Sequence, residues 1–239
     1  MDIKKNIEEI NSKISVAANK SQRNFKDIAI VCVTKNRTLS EICQALDSGI
    51  RNIGENKIQE AIDKLSSINA YCRERSISIK FHMIGHLQTN KVNKVVGMFN
   101  LIHSVDSLKL AQRINDTSKN MGIRSDILLE VRTSDEKSKF GLDIAEVKPL
   151  LNDICDLDYI KVRGLMTMAP LVKDKEETRP YFRKLRILRD EINNTKESQL
   201  NNRVSMDYLS MGMSQDFEVA VEEGANMLRI GTAIFEGIK

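Results

Sequence analysis

Short apolar runs rich in β-branched residues alternate along this chain with longer stretches in which apolar positions recur every three or four residues. The first such stretch, residues 2–20, puts Ile3, Ile7, Ile10, Ile14 and Val16 at helical spacing among charges and predicts an amphipathic helix. DIAIVCVTK (27–35) then predicts a strand, and TLSEICQALDSG (38–49), closed by glycine, predicts the helix after it. The same alternation gives RNIGE (51–55) with a helix at 56–67, SIKFHMIG (78–85) with a helix across 89–98, and NLIHSV (100–105) with a helix from Asp106. SDILLEV (125–131) precedes a helix near 144–153; YIKVRGLMTM (159–168), SMDYLSM (205–211) and ANMLRIG (225–231) complete the series, each before a helix-compatible stretch.

Strands that alternate with helices call for a parallel sheet, and eight strands are the number that closes on itself. The pattern therefore predicts an α/β fold, a single (β/α)8 TIM barrel with an extra N-terminal helix; a doubly wound open sheet is the alternative. A chain of 239 residues suits one such barrel, and no Pro-rich or Gly/Ser-rich linker divides it. One domain over residues 1–239 is expected, since the most polar stretches, 172–180 and 193–204, flank one helix instead of separating two units.

Composition narrows the function classes. With 41% hydrophobic and 29% charged residues the chain has neither a disorder nor a membrane signature. Apolar runs are too short to span a bilayer and MDIKKNIEEI lacks a secretory apolar stretch, so a soluble, cytoplasmic protein without a membrane partner is expected. The four cysteines form no CxxC pair and read as reduced, structural thiols. A formal charge of +4 with both signs interspersed, no Trp and 5% aromatics argues against a nucleic-acid partner. His82 and His86 are four apart, but the segment reads as a strand end and lacks the acidic residue of a zinc-protease motif, so no metal is expected.

The first candidate for chemistry is Lys35. Strand alternation sets Ala29, Val31, Val33 and Lys35 on one side, which points Lys35 toward the barrel axis at the carboxyl end of its strand, where barrel enzymes place their sites. Desolvation at such a mouth favours the neutral amine that attacks an aldehyde. The bland alternative is a solvated lysine opening a loop. At the other end, LSMGMSQDFEVAVEEG (209–224) sets Ser210, Gly212 and Ser214 in a small-residue turn, and MLRIGTAIFEG (227–237) does the same with Gly231 and Thr232. Either turn alone reads as an ordinary capped helix start; together they stand where barrels cradle phosphate, after the last two strands. Arg229 shares a strand face with Met227 and can point inward, either to a ligand or to an acidic neighbour.

The segments AIVCVTKNRT, IRNIGENKIQEA, FHMIGHLQTNKV, IHSVDSLKLA, TSDEKSKFGL, VRGLMTMAP and LSMGMSQDFEVAVEEGANMLRIGTAIF together resemble the pyridoxal phosphate homeostasis protein family, whose fold is that of the amino-terminal barrel of alanine racemases. The resemblance runs nearly end to end. It implies pyridoxal 5′-phosphate (PLP) as cofactor, held as a Schiff base on Lys35, with Ser210, Gly231 and Thr232 as phosphate contacts. Met211, Gly212, Ser214 and Arg229 fall in the matching motifs and are expected to line the pocket, as are Asn56 and His86. A pyridine nitrogen facing a guanidinium stays unprotonated, which argues against transaminase-like chemistry. The chain departs from the family pattern at Arg132, where asparagine is usual, and this leaves the contacts of the fifth strand open.

The resemblance implies a carrier in PLP homeostasis without robust catalysis, acting as a monomer, with PLP-dependent apo-enzymes as recipients. A racemase-like enzyme is the alternative. None of Tyr71, Tyr159, Tyr181 and Tyr208 matches the tyrosine of a two-base racemase. A barrel that binds a sugar phosphate non-covalently is a third reading.

Overall fold

Helix α1 (Ile3–Lys20) opens with Asp2, whose side chain accepts from the Lys5 N–H, and it buries Ile3, Ile7, Ile10 and Ile14. Val16 faces solvent instead, because its place on the helix falls off that stripe. In this computed structural model residues 2–134, 140–194 and 203–238 are described. Residues 135–139 of the TSDEKSKFGL segment, and 195–202 of the polar stretch at 193–204, lie outside the described residues.

Strand β1 (Ala29–Val33) pairs in parallel with β2 (Asn52–Glu55) on one side and β9 (Met227–Ile230) on the other, Val31 standing opposite both Asn52 and Arg229. From β2 the ladder passes to β3 (Lys80–Met83), β4 (Leu101–Val105), β5 (Ser125–Arg132), β7 (Ile160–Met166) and β8 (Val204–Ser210), and β8 returns to β9. The ring closes through β4–β5, so the open-sheet alternative does not hold. The two-residue β6 (Leu142–Asp143), which the hydrophobic pattern does not announce, pairs with the end of β5, where Arg132 meets Asp143 at 2.6 Å.

Alternation along the strands makes two cores. Val31, Ile84, Leu101, Leu128, Met166 and Met227 fill the barrel interior, while Cys32, Ile53, Leu129 and Leu165 pack outward against the helices. Those helices are α2 (Leu39–Asp47), α3 (Ile58–Glu74), α4 (Leu108–Asn120), α5 (Ile144–Ile154), α6 (Arg179–Asn193), α7 (Phe217–Glu222) and α8 (Thr232–Glu236). Two expectations change. Helix α3 runs past residue 67 because Ile68 and Cys72 are buried, and the helix expected at 89–98 is a 3-10 turn, Thr89–Lys94. Asn90, Asn93 and Gly97 are poor helix formers, and Gly97 takes φ +83.

Helix α1 lies on α7 and α8, which follow the last two strands. Asn6 donates to the Ile234 carbonyl at 2.9 Å, and Arg23 donates to the carbonyls of Val221 and Ala225. On the far side Arg179, Arg183 and Arg186 converge on Glu223, at the end of α7. The carboxyl-terminal turns are thus braced from two directions.

Candidate functional site

β1 delivers Lys35 as its alternation requires: Val31 and Val33 belong to the interior cluster, and Lys35 follows at the mouth. The backbone around it is pinned. Thr34 donates to Glu55 Oε1 at 2.6 Å, Lys64 Nζ donates to the Thr34 carbonyl at 2.8 Å, and the Asn36 N–H reaches Glu60 at 3.2 Å with φ +58. Lys35 itself is exposed and makes no hydrogen bond or ion pair among the described residues. The desolvation expected from sequence is therefore absent, since the side chain leaves the strand above the barrel's packed layer. What the fold supplies is a fixed Cα and an unengaged amine.

A cavity of about 840 Å³ opens beside it, bordered by Lys35, Arg229, Ser214, Gly231 and Thr232 together with Met213 and Gln215. The two glycine turns are one structure: Ser214 Oγ accepts the Ala233 N–H at 3.1 Å. The N–H groups of Ser214, Gln215 and Thr232 donate no hydrogen bond among the described residues, and the Ser214 hydroxyl keeps its own proton to give. Unsatisfied donors converging with a lysine and an arginine form a cradle for an anion.

Ser210, Met211 and Gly212 stand behind this wall. Met211 packs into the outer core, and Gly212, at φ +91, offers its carbonyl to the Arg229 N–H; a Cβ there would lie 2.5 Å from that of Ala220. Ser210 is 0% exposed, and its hydroxyl meets Arg229 Nη1 at 2.8 Å and His103 Nδ1 at 3.0 Å. The hydroxyl thus finds both of these partners inside the barrel, and Ser210 does not border the Lys35 cavity.

Among the described residues Arg229 makes no salt bridge. Its Nη1 also donates to the Ser210 carbonyl at 2.7 Å and its Nη2 to the Thr167 carbonyl at 2.8 Å. Burial lowers its pKa to about 10 against the fields of Asp216 and Glu130, so it stays a cation at neutral pH. Neither Asn56 nor His86 borders the Lys35 cavity. Asn56 Oδ1 is buried without a hydrogen-bond partner among the described residues, and His86 stacks on Phe140 at 3.7 Å with Asp106 3.7 Å from its Nδ1.

Sequence reasoning passed over Asn52, His103, Glu130 and Thr167, all of which the barrel turns inward or toward Arg229. Glu130, beyond the interior Leu128 on β5, is pushed up to about 7 by burial, with Asp106 adding and Arg229 opposing. The alternation argument applied to β1 would have found His103 and Glu130 as polar residues on inward faces. Among the described residues no three His, Cys, Asp or Glu side chains are grouped to hold a metal, and no helix is long and apolar enough to cross a membrane.

Over residues 6–238 the chain matches the family described as alanine racemase, N-terminal domain. The pyridoxal phosphate homeostasis protein of Aquifex aeolicus strain VF5 is 37% identical over 223 residues, 93% of this chain and 92% of that protein. The solved structure of PipY from Synechococcus elongatus PCC7942 with PLP bound is 33% identical with a TM-score of 0.78, covering 95% of this chain and 99% of the other. An alanine racemase of Clostridium difficile 630, at 16% identity and a TM-score of 0.71, shares the fold alone; the match covers 100% of this chain and 58% of that one. On its matched length and its relatives, this chain belongs to the pyridoxal phosphate homeostasis proteins, within the alanine racemase N-terminal-domain family.

Proposed function

We propose that the protein binds pyridoxal 5′-phosphate covalently through Lys35 and serves intracellular homeostasis of that cofactor, without robust catalysis. The observation that carries this reading is the cavity that joins an unengaged amine from β1 to the turns after β8 and β9. When bound, the group supplies an aldehyde carbon that condenses with amines, the chemistry by which it is captured and passed on. Lys35 Nζ is the attacking amine. The free N–H groups of Ser214, Gln215 and Thr232, with the Ser214 hydroxyl, take the phosphate, and Gly231 lets the chain approach it. Arg229, which borders the cavity, would offer a ring nitrogen only donors; a ring nitrogen so faced would gain no proton and the ring would be a weak electron sink. That favours holding the cofactor over turning over amino acids.

The recipients in this reading are PLP-dependent apo-enzymes, and the protein works as a cytoplasmic monomer. The solvent-exposed Lys35 supports release as well as capture. Incubation with pyridoxal 5′-phosphate, borohydride reduction and peptide mass spectrometry tests the attachment. A pyridoxyl group on the peptide containing Lys35 supports it, and label confined to other lysines refutes it. Light scattering reads the mass in solution, and trapping of free PLP during transfer to an apo-enzyme separates direct from diffusive delivery.

A further inference from the structure

Five polar side chains, from β9, β8, β4, β3 and β2, touch in series across the barrel interior. Arg229 Nη1 lies 2.8 Å from Ser210 Oγ, and that oxygen lies 3.0 Å from His103 Nδ1. His103 Nε2 is 2.9 Å from His82 Nδ1, and His82 Nε2 is 3.1 Å from Asn52 Oδ1. Ser210 and His103 are fully buried, and His82 and Arg229 nearly so, so each atom in the series depends on its neighbour.

Proton counting sets the direction. A guanidinium only donates and an amide oxygen only accepts, whereas a neutral imidazole does one of each. Asn52 Oδ1 only accepts, so His82 donates to it from Nε2, and a neutral His82 then has a bare Nδ1 that takes the Nε2 proton of His103. A neutral His103 so oriented has a bare Nδ1 that takes the Ser210 proton, while Ser210 Oγ accepts from Arg229. In this arrangement an added proton on His82 Nδ1 would meet the His103 Nε2–H, and one on His103 Nδ1 would face the Ser210 hydroxyl proton. Burial pushes both imidazoles down, His82 to about 3, and the charge of Arg229 adds to the effect on His103.

We propose that this series is a one-way donor relay in which His82 and His103, both neutral Nε2–H tautomers, act as positioning residues for Arg229 through Ser210. The relay claims the Ser210 proton, which is why that hydroxyl serves Arg229 instead of a phosphate. It also holds the guanidinium in one pose with its Nε edge unbonded among the described residues. Only the consequence for cofactor affinity rests on the functional reading above.

Ring-nitrogen NMR of 15N-labelled protein, without added cofactor, reads the tautomers directly in a chain with three histidines. The expected result at neutral pH is protonated Nε2 and bare Nδ1 for His82 and His103. An Nδ1–H tautomer or an imidazolium at either position overturns the proposal. His103→Gln can still accept and donate through one amide, whereas His103→Leu cannot. The leucine variant should bind pyridoxal 5′-phosphate roughly 3- to 10-fold more weakly than the glutamine variant, the scale of one hydrogen bond. Equal affinities refute the positioning role. Failure of borohydride to label Lys35 would remove the functional reading and leave the tautomer result standing.

Discussion

Ser214 Oγ and the Ala233 N–H, 3.1 Å apart, join the turn after β8 to the turn after β9 and make a single anion cradle of two weak features. Ser214→Ala strands the Ala233 donor and removes a hydroxyl proton from the cavity. We expect a stability loss of about 1 kcal/mol in urea unfolding and roughly 5- to 30-fold weaker binding of pyridoxal 5′-phosphate by absorbance titration. Unchanged binding would place the phosphate elsewhere.

Lys35→Ala tests the other half of the cavity. Lys35 bonds to nothing else among the described residues, so the variant should keep the parent's melting temperature within about 2 °C, an exposed change of about 0.5 kcal/mol or less. It should still bind the cofactor weakly through the phosphate turns, yet carry no borohydride-stable label.

Gly212→Ala probes the backbone behind the cradle. At φ +91, with a built Cβ 2.5 Å from that of Ala220, any side chain strains the turn and moves α7. A loss of about 2–4 kcal/mol in chemical denaturation is expected, with cofactor affinity falling alongside; a melt equal to the parent's would contradict the packing.

Glu130 gives a pH signature of definite sign. Its carboxyl sits at about 7 instead of the ordinary 4.5, chiefly through burial. Between those values the folded chain keeps a proton the unfolded chain has released, so this group lowers stability as pH rises from 4.5 to 7. Glu130→Gln removes that slope and should exceed the parent at pH 8 by about 2–3 kcal/mol. Urea midpoints at pH 5 and pH 8 decide it, parallel pH dependence of the two proteins being the adverse result.

His82 and His103 act in the opposite sense. Burial depresses both below the ordinary 6.5, so the unfolded chain takes up protons that the folded chain refuses. Stability present above pH 6.5 is lost on acidification by about 1.4 kcal/mol per pH unit for each histidine. A His82→Gln/His103→Gln double variant should therefore lose about 3–4 kcal/mol less than the parent between pH 6.5 and 5, read by acid titration of the unfolding midpoint.

Much of this site is legible in the chain. Period-two alternation from Ala29 to Val33 aims Lys35 at the mouth, because a strand exposes every second side chain to the same face. Small residues after the last two strands announce Ser214, Gly231 and Thr232 by their place in the barrel. The role of Ser210 is illegible, because its partner His103 is 107 positions away and only strand packing brings them together. His86 misleads for a related reason: strand order says that it follows β3, but not that it turns to Phe140 and Asp106 and away from the Lys35 cavity.

The spacing of apolar residues by itself determined the strands and most of the helices, since burial of one face is a local demand on each element; it left a closed ring and an open sheet as the two ways to assemble them. Closure of the ring brought the two ends of the chain together, because a closed barrel must seat its last strand against its first. Tertiary structure alone decided which inward polar groups answer one another and which are left facing the cavity. Each donor has one proton and each acceptor a fixed place, and that accounting is settled only when all the strands are in register.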